Sequence, residues 1–231
     1  MIKPGDVISH TQMCLEENAM LQRGMNFHLN QTYSVILMSV RKGAPYEDRI
    51  EDVGKVLIYE GHDVNRTRSG PNPKSVDQPR FTPNEKLTAN GLFFQAAENF
   101  KNKKDPVEKV KVYEKIKDGI WAYAGIFELI DAWLEKSGRR KVFKFKLVLT
   151  DQQEEGNKRK RPDLAHNRII PTSVKLEVYK RDKGVCVKCG AKDNLHFDHI
   201  YPFSKGGTSI TAENIQLLCA RHNLEKRDKI E

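Results

Sequence analysis

Cys186-x-x-Cys189 and Cys219-x-x-His222 are two short knuckles separated by about thirty residues, and they limit what this chain can fold into more than any other feature. Zinc takes four tetrahedral ligands, and two such knuckles deliver them without a large apolar core. Cys186, Cys189, Cys219 and His222 supply a Cys3His set. A closed shell leaves no open coordination position, so this zinc is expected to hold a small domain together and not to perform a reaction. A second register, in which His222 serves another metal, leaves the zinc with three ligands only.

The other cysteine, Cys14, stands alone, so a disulfide framework is not expected and Cys14 reads as a small buried apolar residue. With 231 residues the chain has room for two modest domains. It carries 40 Lys and Arg against 31 acidic residues, and the net charge of +9 favours a polyanionic partner. At 38% hydrophobic content no segment is apolar enough to span a bilayer, and a cytoplasmic protein without a membrane partner is expected.

The first 150 residues read as α+β. Strands are expected at Thr32–Val40, Val56–Tyr59, Lys109–Tyr113, Ile120–Leu129 and Lys141–Leu149. In the last, Phe143, Phe145, Leu147 and Leu149 share one face while Lys144 and Lys146 face the other way. Helices are expected at Leu87–Lys101 and, shorter, near Asp131–Lys136. Trp121, Tyr123, Phe127 and Trp133 read as core. Between the strand Val56–Tyr59 and the helix Leu87–Lys101, Gly61–Lys86 holds four prolines and reads as a long irregular loop whose Arg66, Arg68, Lys74, Arg80 and Lys86 either reach phosphates or are simply solvated. Residues 151–169 begin with the run DQQEEGNKRKR and read as an interdomain linker. Beyond it a helix is expected from Pro171-Thr172 to Lys183, ended by Gly184, and then strand (Leu195–Ile200), a Gly206-Gly207 reversal, strand (Ile215–Leu218) and helix (Ala220–Asp228).

Asp198-His199, Asn214 and Asn223, set within and just after the knuckles, resemble the HNH endonuclease family and its ββα-metal fold over about Ile170 to Lys229. The resemblance implies that His199 is the general base, an imidazole that titrates near working pH. It further implies that Asp198 and Asn223 hold a catalytic divalent ion, Mg or Mn, by oxygen ligands, and that Asn214 braces the loop that orients His199. The commoner family pattern has a histidine where this chain has Asn223 and a cysteine where it has His222. His196 reads as a surface or phosphate-contacting residue.

The blocks TYSVILMSV, GAPYEDRIEDVGKVLIYEGHD, LTANGLFF and WAYAGIFELIDAWLEKSGRRKVFKFKL resemble, in order and spacing, the SRA domain, whose fold is a PUA-like twisted β-barrel with flanking helices and which recognises 5-methylcytosine by base flipping. By that resemblance Tyr46 and Tyr59 sandwich the base and Asp48 accepts from its amino edge, with Glu47 or Asp52 as alternatives because the block is one residue longer than the animal-type pattern. Gly61 lets the backbone approach the base. The resemblance makes the loop Gly61–Lys86 the candidate to insert side chains into the hole left by the base, and sets Thr88 and Asn90 near the backbone of the flipped nucleotide. Together the two resemblances imply three units: a modified-DNA recognition domain at 1–150, a linker at 151–169 and an HNH endonuclease domain at 170–231. They imply a modification-dependent restriction endonuclease acting, as a homodimer, on double-stranded DNA that carries 5-methylcytosine or 5-hydroxymethylcytosine. The rival expectations are a junction or mismatch nuclease and a non-catalytic modified-DNA binding protein.

Overall fold

The computed structural model describes residues 2–29, 32–68, 70–150 and 170–230, so the linker expected at 151–169 lies outside the described residues. In chain order the elements are β1 (Asp6–Ser9), α1 (His10–Glu16), β2 (Met25–Asn26), β3 (Ser34–Met38), β4 (Arg49–Glu51), β5 (Val56–Glu60), α2 (Ala89–Lys101), β6 (Glu108–Lys117), β7 (Ile120–Ser137), β8 (Arg140–Leu149), α3 (Thr172–Arg181), β9 (Leu195–His199), β10 (Ile215–Cys219) and α4 (Ala220–Lys226). The class is α+β.

One mixed sheet of ten strands runs in the order β10-β9-β1-β7-β6-β3-β2, and the long β7 carries β8, β5 and β4 as a branch. Every pairing is antiparallel except β3 with β6. Helix α2 lays Phe93 and Ala97 onto the sheet, where they meet Ile36, Leu57, Val110, Phe127, Phe145 and Leu147. Its first turn is closed by the Thr88 hydroxyl, which accepts from the Gly91 N–H at 3.2 Å, so an N-cap fixes where this helix begins.

Three expectations need correction. Asp131–Lys136 is strand, not helix: β7 continues to Ser137 and pairs through Asp131↔Lys146 and Ser137↔Arg140 with β8, after a register shift between Leu129 and Asp131. The tight turn at 138–139 and the ladder behind it override the helical propensity of Ala132, Leu134, Glu135 and Lys136. Lys144 is fully buried and does not face solvent, because its ammonium meets Glu60 Oε2 at 2.8 Å and the Glu47 carbonyl at 3.0 Å. Cys14 is half-buried, with its sulfur 3.8 Å from His10 Nε2. Of the four aromatics assigned to the core, Tyr123 and Phe127 are buried, and Trp121 and Trp133 are partly so.

β1, the N-terminal strand that periodicity alone does not reveal, pairs with β7 on one edge and with β9 on the other. The sheet therefore crosses from the first half of the chain into the last. Val7, Ile116 and Ala122 share one apolar cluster with Val174, Val178, Leu195, Phe197 and Leu217.

Candidate functional site

The first site is a cleft of about 1290 Å³ between the end of β3, the turn before β4, the end of β5 and the start of α2. Tyr46, Asp48 and Tyr59 all line it. Asp48 Oδ2 accepts from the Ser39 N–H at 2.9 Å and Oδ1 from the Glu60 N–H at 3.0 Å. Burial pushes this carboxyl up to about 6 and the Glu60 charge adds to the rise, while the two N–H donors and Lys144 oppose it. Of the alternatives, Glu47 and Asp52 are exposed, and neither lines the cleft.

A buried charge network sits beneath. Glu60 takes Lys144 on one oxygen and Arg140 at 3.4 Å on the other, and Arg140 also pairs with Asp63. Because Glu60 Oε2 also accepts from the Glu47 N–H at 3.2 Å and Lys144 donates to the Glu47 carbonyl, this network clamps the turn that presents Tyr46 and Asp48. Lys74 closes it from outside, 2.9 Å from Asp63 Oδ2, bonded to the Pro45 carbonyl and 4.3 Å above the Tyr46 ring.

His62, which the sequence does not single out, lies between the two tyrosines. Its ring stacks on Tyr46 with centroids 5.1 Å apart and planes 11° apart, and its Nε2 is 2.9 Å from the Tyr59 hydroxyl. Asn90, expected near the DNA backbone, is buried and fixes His62, accepting from its N–H and donating to its carbonyl, both at 2.8 Å. Thr88 caps α2, and Arg80 pairs with Glu98 at 2.8 Å. Arg66 and Arg68 are exposed on the loop. Gly61 is required for close packing, since a Cβ there would stand 2.6 Å from Asn90 Oδ1 and 2.8 Å from Gln78 Oε1.

The second site is built on the β9–β10 hairpin and α4. Asp198 Oδ2 lies 2.9 Å from Lys226 Nζ and 3.5 Å from Gln216 Nε2. Lys226 is buried and also donates to the His199 carbonyl at 2.6 Å. Asn223, one turn earlier on α4, shares the helix face of Lys226 that meets Asp198. His199 Nε2 is 2.8 Å from the hydroxyl of Ser209, a buried residue that the motif did not mark. Asn214 ties the intervening loop, accepting from the Tyr201 N–H at 2.8 Å and donating to the carbonyls of Tyr201 and Thr208. At Gly207 a Cβ would fall 1.9 Å from the Tyr201 carbonyl oxygen, so the loop closes only around glycine. Asp198 and His199 at the end of β9 and Asn223 on α4 offer a carboxylate, an imidazole and a carboxamide on neighbouring elements, a donor set whose chemistry suits a hard divalent ion with a base beside it.

The ligand atoms of Cys186, Cys189, Cys219 and His222 lie within 4.8 Å of one another. His222 Nδ1 is 3.3 Å from Cys186 Sγ and 3.4 Å from Cys219 Sγ, and the Cys189 and Cys219 sulfurs are 3.8 Å apart. Tetrahedral zinc with bonds of roughly 2.3 Å to sulfur and 2.0 Å to nitrogen requires S···S near 3.8 Å and S···N near 3.5 Å, so the four residues fit that ion. His222 therefore stands with the cysteines. Burial would raise the Cys186 thiol, but the N–H groups of Cys219, Lys188 and Cys189, followed by His222, bring it down to about 6, toward the thiolate that binds metal.

His196 is half-buried, and its Nδ1 is 2.7 Å from Asp6 Oδ1 at the β1–β9 join. No helix among the described residues is long and apolar enough to cross a membrane.

The profile of the SAD/SRA domain matches residues 3–153, and the profile of the HNH endonuclease matches residues 186–229. No curated protein matches the sequence. Among solved structures, the SUVH5 SRA domain with hemi-methylated CG DNA aligns at 24% identity and a TM-score of 0.47 over 68% of this chain and 94% of that one. SUVH5 SRA bound to fully hydroxymethylated CG DNA aligns at 21% identity and 0.42, over 65% and 90%. The type IV phosphorothioation-dependent restriction endonuclease ScoMcrA aligns at 14% identity and 0.44, over 99% and 57%.

Proposed function

The chain belongs to the SAD/SRA domain family and carries an HNH endonuclease domain behind it, and from that we propose that it is a modification-dependent restriction endonuclease. Its reader flips 5-methylcytosine or 5-hydroxymethylcytosine out of double-stranded DNA, and its HNH site hydrolyses a phosphodiester nearby. The observation that carries this reading is the meeting of Tyr46, Asp48 and Tyr59 in one cleft, from separate stretches of chain. A mark on one base is read in full only when the base leaves the stack, and a pocket for it needs aromatic faces and an acceptor for the exocyclic amine. Ionised Asp48 is that acceptor. Its orientation is set by two backbone N–H groups, so no reorganisation is needed when the base arrives.

In the HNH site, His199 takes the proton from the attacking water, and Ser209 sets the plane of its ring. Asn214 holds the loop that carries Ser209. Lys226 keeps the Asp198 carboxylate aimed across the hairpin. Asp198 and Asn223 would hold a magnesium or manganese ion, which supplies charge stabilisation at the scissile phosphate and the leaving 3′ oxygen. Cys186, Cys189, Cys219 and His222, whose ligand atoms lie within 4.8 Å of one another, would hold a structural zinc. One HNH site cuts one strand, so a double-strand break takes two protomers, a twofold dimer.

The test is cleavage of matched duplexes, identical but for the modified cytosine, with magnesium or manganese. Preferred cutting of the modified duplex is expected. Equal cutting of both, or preference for branched substrates, would overturn the reader assignment.

A further inference from the structure

In the protein without DNA, one aromatic face of Tyr46, which lines the cleft, is already taken. The His62 imidazole lies on it in parallel at 5.1 Å and reaches across to the Tyr59 hydroxyl at 2.9 Å. It therefore spans the two rings assigned to grip the base. The space beside it is tight, since a Cβ at Gly24 would stand 2.8 Å from His62 Nε2 and 2.6 Å from Tyr59 Oη. A flat nitrogen heterocycle stacked on one tyrosine and hydrogen-bonded toward the other occupies the position of a flipped base on a smaller scale. We infer that His62 guards the pocket: its imidazole holds the Tyr46 face until a modified cytosine displaces it, an inference that rests on the base-flipping reading above.

The fastening of His62 fits displacement of the ring alone. Asn90 pins the main chain of His62 at both its N–H and its carbonyl, so the backbone stays while the side chain turns about its own bonds. Gly61, beside it, donates its N–H to the Phe143 carbonyl at 2.9 Å and so ties the end of the strand to β8. The ring itself is held by one offset stack and one hydrogen bond, each a modest contribution. Among the described residues it has no ionic anchor: burial holds the imidazole down at about 4, with Asp63 drawing it up and Arg23 and Lys74 pushing it further down, so it is neutral at physiological pH. A neutral, lightly held plug raises the threshold for entry. A base that forms the Asp48 contact and fills the pocket displaces it, whereas a transiently extruded ordinary base gains less from doing so.

The full-length protein and its His62→Ala and His62→Gln variants are compared for equilibrium binding, without added divalent ion, to a duplex carrying one 5-methylcytosine and to the same duplex without it. Removing the ring from the Tyr46 face is expected to tighten binding of the methylated duplex roughly tenfold, the equivalent of one lost stack with its hydrogen bond. His62→Gln, which retains a partner for the Tyr59 hydroxyl, tightens it in the same direction and guards against a folding artefact, as does a thermal melt of each variant. In the unmutated protein the His62 ring resonance is followed by NMR through a pH titration. Its low pKa is expected to rise toward 6.5 when the methylated duplex is bound, because the ring has left its buried slot. If the folded variants bind the methylated duplex equally or more weakly, or if the resonance keeps its low pKa in the complex, the guard is overturned while the reader stands. If the unmutated protein itself shows no preference for the methylated duplex, it is the base-flipping reading that falls.

Discussion

Asp6 Oδ1 and His196 Nδ1 lie 2.7 Å apart, and the same two residues face each other in the β1–β9 ladder, so one pair of positions joins the halves by both backbone register and side-chain contact. Around this pair the apolar cluster is shared: Val7, Ile116 and Ala122 from the reader pack with Leu195, Phe197 and Leu217 from the nuclease. Deeper in, Glu114 of β6 accepts from Thr172 Oγ1 at 2.7 Å and from Lys175 Nζ at 2.9 Å. The separation of the reader cleft from His199 is therefore fixed by a continuous sheet, whatever the course of residues 151–169.

Glu114→Ala tests that coupling. The change leaves the Lys175 ammonium, whose side chain is only 4% exposed, buried without its carboxylate. Breaking a buried pair on one side costs about 3–5 kcal/mol. We expect a loss of stability of that order in denaturant unfolding, and cleavage products that spread over a wider range of distances from the modified base. Unchanged stability with an equally sharp cut position would show that the two halves are not held by this contact.

Asp48 gives the reader a pH dependence. Its carboxyl titrates at about 6 in the folded protein, against an ordinary value near 3.8. Between those values the folded state holds a proton that the unfolded state has released, so stability falls as pH rises through that window. Recognition runs the opposite way, because the ionised carboxylate is the stronger acceptor for the cytosine amine and protonation turns one of its oxygens into a donor. Preference for the methylated duplex, measured by equilibrium binding, is expected to be full at pH 7.5 and to decline below about pH 6. Asp48→Asn should lose it at every pH. A flat preference from pH 5 to 8 would remove Asp48 from the role.

Much of this was legible because the residues concerned announce themselves locally. The two knuckles, the Asp198-His199 pair and the alternation of Phe143, Phe145 and Leu147 are short-range patterns, and each appears where its spacing predicted. What stayed hidden depends on distant partners. Lys144 reads as a solvent-facing strand residue until Glu60 is beside it, and Asp131–Lys136 reads as helix until β8 lies alongside. Ser209 and His62 belong to no motif, and only their distances to His199 and to Tyr59 identify them. A histidine three residues after Tyr59, at the second position of the proline-rich loop, carries no signal of its own, though its place directly after Gly61 is a hint.

His199 and Ser209 should separate by degree. General base catalysis contributes typically 10²–10⁴-fold, so His199→Ala is expected to reduce single-turnover cleavage by that order while the protein still selects methylated DNA. Ser209→Ala leaves the base present but its ring less well oriented, and a fall of roughly tenfold is expected with binding intact. Because Ser209 acts through the imidazole, its loss should also shift the pH–rate profile, a change that simple local loosening of the loop would not produce. Equal rates for Ser209→Ala and the unmutated protein would mean that the 2.8 Å contact has no part in orienting His199.

Metal removal tests the join from the other side. Structural zinc contributes on the order of 10 kcal/mol to the folding of isolated finger peptides, comparable to the whole stability of a typical domain, about 5–15 kcal/mol. If the zinc proposed at Cys186, Cys189, Cys219 and His222 is stripped, the C-terminal hairpin and α4 are expected to unfold. That loss does not stop at a domain boundary, because Leu195 and Phe197 leave a cluster that also contains Val7, Ile116 and Ala122, and β1 loses its partner on one edge. The reader should therefore melt at lower temperature in the chelated protein, and one cooperative transition is expected for the zinc-loaded chain. Two independent transitions, the first abolished by a strong chelator and the second unmoved by it, would show that the shared cluster does not couple the halves. The Cys189→Ser variant supplies the same comparison without a chelator, since Cys189 lies exposed at the rim of the metal cluster and its loss removes a ligand without opening a core cavity.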